Sequence, residues 1–185
     1  MLNLINHFLV ASPFANNNLY SKNIVYITDH DENNGAVGVV INRPTSMKLD
    51  KVFQNTNIVG CDSELTKTLV FWGGPLCSDN GYLLHKYNQD NDELFELTNS
   101  KNVFLDMVNS RDYTDLFVSL GYSGWGELQL EEEISNGTWL VIPAEKSIIF
   151  DVDPMDRYEE ALHLLGIKNI NQLLSCQNNL IANAG

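Results

Sequence analysis

The sequence predicts a single α+β domain in which a few helices pack against one mixed, mostly antiparallel sheet. Two observations lead there. Short β-branched and aromatic runs recur along the 185 residues, while helical patterns are fewer and do not alternate with them one for one, which weighs against a doubly wound parallel fold. The reversals between runs carry Asn and Gly, as at Asn33-Asn34-Gly35, Gly73-Gly74-Pro75, Asn80-Gly81 and Asn136-Gly137, residues that supply the positive φ of tight turns.

Strands are predicted at IVYIT (24–28), AVGVVI (36–41), LVFWG (69–73), YLLH (82–85), LFEL (94–97), LFVSL (116–120), TWLVI (138–142) and SIIF (147–150). A helix over 46–54 would carry Leu49, Val52 and Phe53 on one side behind a Thr45-Ser46 cap, and one over 101–109 would carry Val103, Phe104, Met107 and Val108. The clearest helical pattern spans 154–165, with Asp153 as N-cap, Pro154 at the first helical position, an apolar face of Tyr158, Ala161, Leu162 and Leu165, and Gly166 as the stop. A last short helix is expected near 169–175, and the polar tail from about 176 should fray. The domain takes in residues 1–185.

The composition is 44% hydrophobic and only 19% charged, which is a globular balance away from the regime of disorder. Twenty-four acids against eleven bases leave a formal charge of -13, so the chain repels polyanions unless its cations gather on one face. The one local excess is Arg43, Lys48 and Lys51 around Asp50, a weak footprint for duplex binding. Cys61, Cys77 and Cys176 are odd in number and form no CxxC pair, which points to reduced thiols and neither a disulfide framework nor a zinc ribbon. The opening MLNLINHFLVASPF lacks a basic n-region and does not read as a signal peptide. No apolar run reaches the roughly 20 residues of a membrane helix, so the expectation is a soluble cytoplasmic protein.

The densest motif is GYSGWGELQLEEEI at 121–134. It is not the nucleophile elbow G-x-S-x-G, because Gly124 arrives one residue early and Trp125 stands where the second glycine belongs. A phosphate cradle is disfavoured by charge, since no Lys or Arg occurs from Asp112 through Glu145 while seven acids do. The stretch reads instead as a strand-to-helix corner: Trp125 is a buried anchor, and Leu130 and Ile134 seat the helix on the sheet. Glu127 and Glu131 fall on the Leu130–Ile134 side, where a half-buried carboxylate would need a cation, with Arg43 as the candidate. Arg43 itself, in GAVGVVINRP just before a capped helix, could hold a carboxylate or phosphate or make a structural ion pair. Glu160 and His163 have metal-ligand spacing, but on the solvated face of their helix, and Cys61, Cys77 and His85 are irregularly spaced. No metal, cofactor or catalytic residue is assigned.

HFLVASP (7–13), GAVGVVINRP (35–44), WGGP (72–75), GYSGWGELQLEEEI (121–134) and the late DP-D-RYEEAL-LLGI run together resemble the AlgH/YqgE family over nearly the whole chain. The resemblance implies an α+β domain with a bifurcated sheet curled into a pseudo-barrel, in a bacterial cytoplasmic family described as transcriptional regulators and named for control of alginate synthesis. It supplies no agreed catalytic residues or ligand. It marks Asn42, Arg43, Gly73, Gly74, Pro75, Gly121, Trp125 and Glu131 as motif positions. Leu128 stands where the family has the glycine of GQLE, Tyr158 replaces a common tryptophan, and the end reads ANA in place of GHA.

The function expected from these observations is non-enzymatic, exercised through a protein partner or a small anionic ligand, with any effect on transcription indirect. An alternative is an enzyme or sensor whose site lies where the NRP, GGP and GYSGW segments converge, with Arg43 as the anion contact. Direct duplex binding would need Arg43, Lys48 and Lys51 to converge with Lys22, Lys67 or Lys86.

Overall fold

The computed structural model describes residues 3–14, 20–31, 33–51, 65–89, 92–111, 113 and 115–168. Nine strands appear among them: β1 (His7–Ala11), β2 (Ile24–Asp31), β3 (Gly35–Val40), β4 (Pro44–Lys48), β5 (Leu69–Trp72), β6 (Leu76–Gln89), β7 (Asp92–Thr98), β8 (Phe117–Trp125) and β9 (Trp139–Pro143). Four α-helices accompany them, α1 (Lys101–Ser110), α2 (Gln129–Ser135), α3 (Lys146–Phe150) and α4 (Arg157–Leu164), with a 3-10 turn at Leu65–Lys67 and a helical turn at 49–51.

The strands lie in the order β4-β5-β8-β3-β2-β1-β9, and β6 pairs with both β8 and β7. Every pairing is antiparallel except β5 with β8. The bifurcation is at β8. On one edge its residues 118–120 run parallel to β5 and residues 123–125 antiparallel to β3, while the other edge carries β6. The sheet curls far enough for β7 to lie across β2, where Phe95 N–H donates to Tyr26 Oη at 3.3 Å and the two rings meet edge to face. It is not closed into a barrel, since the end strands β4 and β9 do not pair with each other.

Two cores explain the apolar stretches within β5 (69–72), β6 (82–84) and β8 (117–118). Phe71, Leu84 and Phe117 face the main core, built from β1, β2, β3 and β9 under α2, α3 and α4. Their neighbours Val70, Leu83 and Val118 face a second core covered by Phe104 and Val108 of α1. Strands buried on both faces lose the polar alternation of a half-solvated sheet.

Four expectations are corrected. SIIF is not a strand: Lys146–Phe150 form α3, with Ile148 and Ile149 both buried. Residues 46–48 belong to β4, whose Thr45 Oγ1 donates to Val70 O at 2.8 Å, so only the turn at 49–51 is helical in the described part of the 46–54 helix. GYSGW is no corner either, because β8 continues to Trp125 and the turn comes at 126–128. The α4 helix begins at Arg157, three residues later than expected for Pro154, after a turn in which Asp153 Oδ1 accepts Met155 N–H at 2.9 Å. Its end is as expected: Gly166 at φ +77 donates to His163 O and Ile167 to Leu162 O, the paired bonds of a Schellman cap. Val52, Phe53, Cys61, Cys176 and the 169–175 helix lie outside the described residues.

Candidate functional site

The NRP, GGP and GYSGW segments do converge, and backbone contacts hold them. Arg43 O accepts Trp72 N–H at 2.8 Å, Gly73 N–H donates to Leu120 O, and Gly73 O accepts both Val40 N–H at 2.9 Å and Ser123 Oγ–H at 3.2 Å. A Cβ on Gly73 would stand 2.3 Å from Gly121 O, and one on Gly74 would stand 2.3 Å from Tyr122 O. Gly121 takes φ +68 within β8. These glycines let two stretches of backbone pack without side chains between them; Pro75 is exposed beyond them. Ser123 is fully buried, donates to Gly73 O and shares a hydrogen bond with the Tyr20 phenol. Burial pushes that phenol up, and the Ser123 bond pulls the other way.

Asn42 is a latch. Its Oδ1 accepts Ile24 N–H at 3.0 Å and its Nδ2 donates to Lys22 O at 2.7 Å, fixing the turn that starts β2. Arg43 lays its guanidinium over the Trp72 ring, 5.2 Å from the centroid.

The expected pairing of Arg43 with Glu127 or Glu131 is not made. Glu131 Oε1 lies 2.8 Å from Nε2 of His30, a side chain only 2% exposed at the end of β2. Glu127 is exposed. The reason is the length of β3: Glu131 meets the sheet near Gly35 and Ala36, where β3 begins, and Arg43 follows its other end, about 20 Å away for six extended residues. Continuing β8 through Trp125 carries α2 to the far end of β3.

The carboxylate that does anchor the corner is Glu133, which the sequence did not single out. Its Oε2 accepts both indole N–H groups of Trp125 (2.9 Å) and Trp139 (2.7 Å), and its Oε1 accepts Gln129 Nε2 at 2.9 Å. Trp125 is buried, as expected of an anchor. Arg157 was also missed. It is buried, stacks on Phe71, and donates to Ile41 O and to Val152 O. Desolvation lowers its pKa to about 10 against the opposing pull of Asp153. Glu160 and His163 are both about half exposed and 3.7 Å apart, which is the solvated face read from the spacing.

The concave feature at this end of the sheet is a cavity of about 480 Å³ between the Ser21–Asn23 turn, the Asn42–Pro44 turn and the head of α4. Lys22 and Arg43 line it with Glu159, and Pro44, Pro154, Met155 and the Tyr158 ring supply apolar walls. Of the three converging segments only NRP reaches it. Asn23 lines it too, 1% exposed, with an Nδ2 that has no hydrogen-bond partner among the described residues. Nothing in the sequence marked Asn23 beyond its place before a strand. A second cavity of about 640 Å³ lies between β6 and α1, lined by Lys86 and by Lys146, which is paired with Asp115 at 2.6 Å. The cations considered for a duplex footprint are thus divided, with Lys22 and Arg43 in one cavity and Lys86 in the other. No helix among the described residues is long and apolar enough to cross a membrane.

A family model described as AlgH-like matches residues 8–170. A UPF0301 protein of Polaromonas sp. is 37% identical over 180 residues, covering 91% of this chain and 92% of the relative. One from Coxiella burnetii is 35% identical over 170 residues, covering 92% and 93%. The solution structure of the AlgH protein from Pseudomonas aeruginosa superposes with a TM-score of 0.75 at 31% identity, covering 92% of this chain and 93% of that one. A crystal structure of a Corynebacterium diphtheriae protein shares the fold, with a TM-score of 0.65 at 20% identity over 87% of this chain and 86% of that one.

Proposed function

The chain belongs to the AlgH-like family, and on that premise we propose that it is a non-enzymatic, cytoplasmic bacterial protein that binds a small anionic ligand and acts through a protein partner, any effect on transcription being indirect. The observation that carries this reading is the 480 Å³ cavity, where Lys22 and Arg43 face one concave space in a chain of net charge -13. A cavity of that size suits a small molecule, and two cations in an acidic protein give it a sign. The converging glycine segments support binding over catalysis: their backbone groups bond to one another, and Ser123 donates to Gly73 O, with no hydrogen bond to a histidine among the described residues. Duplex contact is disfavoured because these cations lie in a concavity with Glu159 and do not form an exposed ridge that could track phosphates.

Thermal unfolding of wild type and Arg43→Ala against a panel of metabolites tests the ligand. An anionic metabolite should raise the midpoint of wild type and have a reduced effect on the variant. If no metabolite stabilises wild type, or if both proteins respond alike, the reading is wrong. A steeply salt-dependent affinity for duplex DNA in the purified protein would overturn the indirect role.

A further inference from the structure

We propose that the ligand of this cavity presents a single carboxylate or phosphate group on an apolar body, with Asn23 Nδ2 donating to the oxyanion and Lys22 and Arg43 supplying its counter-charge. The proposal rests on the ligand-binding reading above and names the chemistry of the ligand.

The starting point is Asn23. Its backbone is locked, since N–H donates to Tyr20 O and its carbonyl accepts Ala11 N–H, both at 2.9 Å. The residue is 1% exposed and its Nδ2 has no acceptor among the described residues. Buried amide donors are paired in the great majority of cases, so a rigidly held unpaired one in the lining of a cavity calls for an acceptor oxygen from outside the chain. The neighbouring Asn42 shows the contrast, because both ends of its amide are satisfied by backbone.

The lining sets the charge of that acceptor. Among the lining residues two cations, Lys22 and Arg43, stand beside one acid, Glu159, which suits a ligand with a single anionic group and works against a polyphosphate. Arg43 is stacked on Trp72, which fixes the plane of its donor fork. The apolar walls set the remainder. Tyr158 has its hydroxyl occupied by Ala11 O at 2.8 Å and offers the cavity its ring, beside Pro44, Pro154 and Met155. About 480 Å³ is several times the space a bare phosphate or acetate fills, so the anion comes with a body.

The test is a nitrogen-edited NMR titration of the full chain that follows the Asn23 side-chain amide, with sodium hexanoate, hexyl phosphate, inorganic phosphate and hexylammonium as separate probes. Hexanoate or hexyl phosphate should shift the Asn23 amide saturably, and which of the two does so identifies the oxyanion. Inorganic phosphate should bind at least tenfold more weakly, and hexylammonium should leave the amide unmoved. Lys22→Asn, which keeps a residue tolerant of the Lys22 φ of +57, and Arg43→Gln should each weaken binding at least fivefold while the rest of the spectrum stays native. The proposal is overturned if neither hexyl probe moves Asn23, if inorganic phosphate binds as tightly as they do, or if both variants bind as wild type. A panel metabolite that acts through Arg43 while no probe reaches Asn23 would remove the oxyanion assignment and leave the ligand-binding reading standing. Loss of any Arg43 dependence in both experiments would remove both.

Discussion

Replacing Glu133 by alanine should be among the most damaging single changes that leave the backbone untouched. One carboxylate oxygen accepts the indole N–H of Trp125 at 2.9 Å and of Trp139 at 2.7 Å, and those rings are 6% and 2% exposed. Removing the acceptor strands two buried donors, each worth about 1–3 kcal/mol when left unpaired. Glu133 is itself half-buried, so the space it vacates is within reach of water and the lower half of that range applies. Gln129, exposed, turns to solvent at little cost. The expected loss is about 2–4 kcal/mol, read from urea unfolding followed by far-UV circular dichroism. Glu133→Gln keeps an acceptor but gives up its charge and should lose about 1 kcal/mol. Both indole N–H resonances should move in the alanine variant. A loss under about 1 kcal/mol with both resonances unmoved would refute the idea that this carboxylate ties α2 to β8 and β9.

Other outcomes follow from single positions. Leu128 sits at φ +58 and is 50% exposed where its relatives are expected to carry glycine, so Leu128→Gly should stabilise by about 0.5–1 kcal/mol, seen as a higher urea midpoint at unchanged m; a lower midpoint would contradict it. Gly73→Ala drives a Cβ to 2.3 Å from Gly121 O and should cost about 3 kcal/mol or more, whereas Gly137→Ala, at φ +73 with nothing within 4 Å, should cost about 1; equal losses would show that the close approach is not what requires Gly73. Burial holds the Tyr26 and Tyr158 phenols up at about 12, above the ordinary 10.0 of the unfolded chain. The folded state therefore binds more protons between these values, and stability that is complete below pH 10 is lost as pH rises through 12. Absorbance at 295 nm should show these two phenols still protonated in the folded chain at pH 10 and ionising only toward 12 or on unfolding, and Tyr26→Phe should flatten the decline; ionisation of both near pH 10 in the native state would refute it.

Which parts of this were legible follows from how locally each was determined. The α1 helix could be read because Phe104 and Val108, four apart, are the residues it buries. The cap of α4 could be read because Gly166 is required by its φ alone. SIIF misled because a short apolar run is the same in a buried strand and a buried helix, and α3 is decided by what Ile148 and Ile149 pack against. β4 was hidden for the opposite reason: Pro44–Lys48 is polar and becomes a strand by pairing with β5. The choice of cation for Glu131 failed on distance, since no pattern within 121–134 tells which end of β3 the helix will reach. His30 and Glu133 carried no signal of their own, their roles being set by contacts across 101 residues for the first and by the meeting of two strands and a helix for the second.

The pairing of β1 with β9 has a consequence for how the protein is made. Residues 7–11 of β1 take their second partner from residues 139–143, while β2 can pair with them as soon as it follows. Between Ala11 and Trp139 the ribosome adds well over a hundred residues, on the order of ten seconds of synthesis at typical rates. Throughout that interval the apolar strand HFLVA presents one open edge, the condition that invites pairing with another chain. Until residues 139–143 have been made that edge stays open, and a chain that stops short of Trp139 cannot cover it with β9.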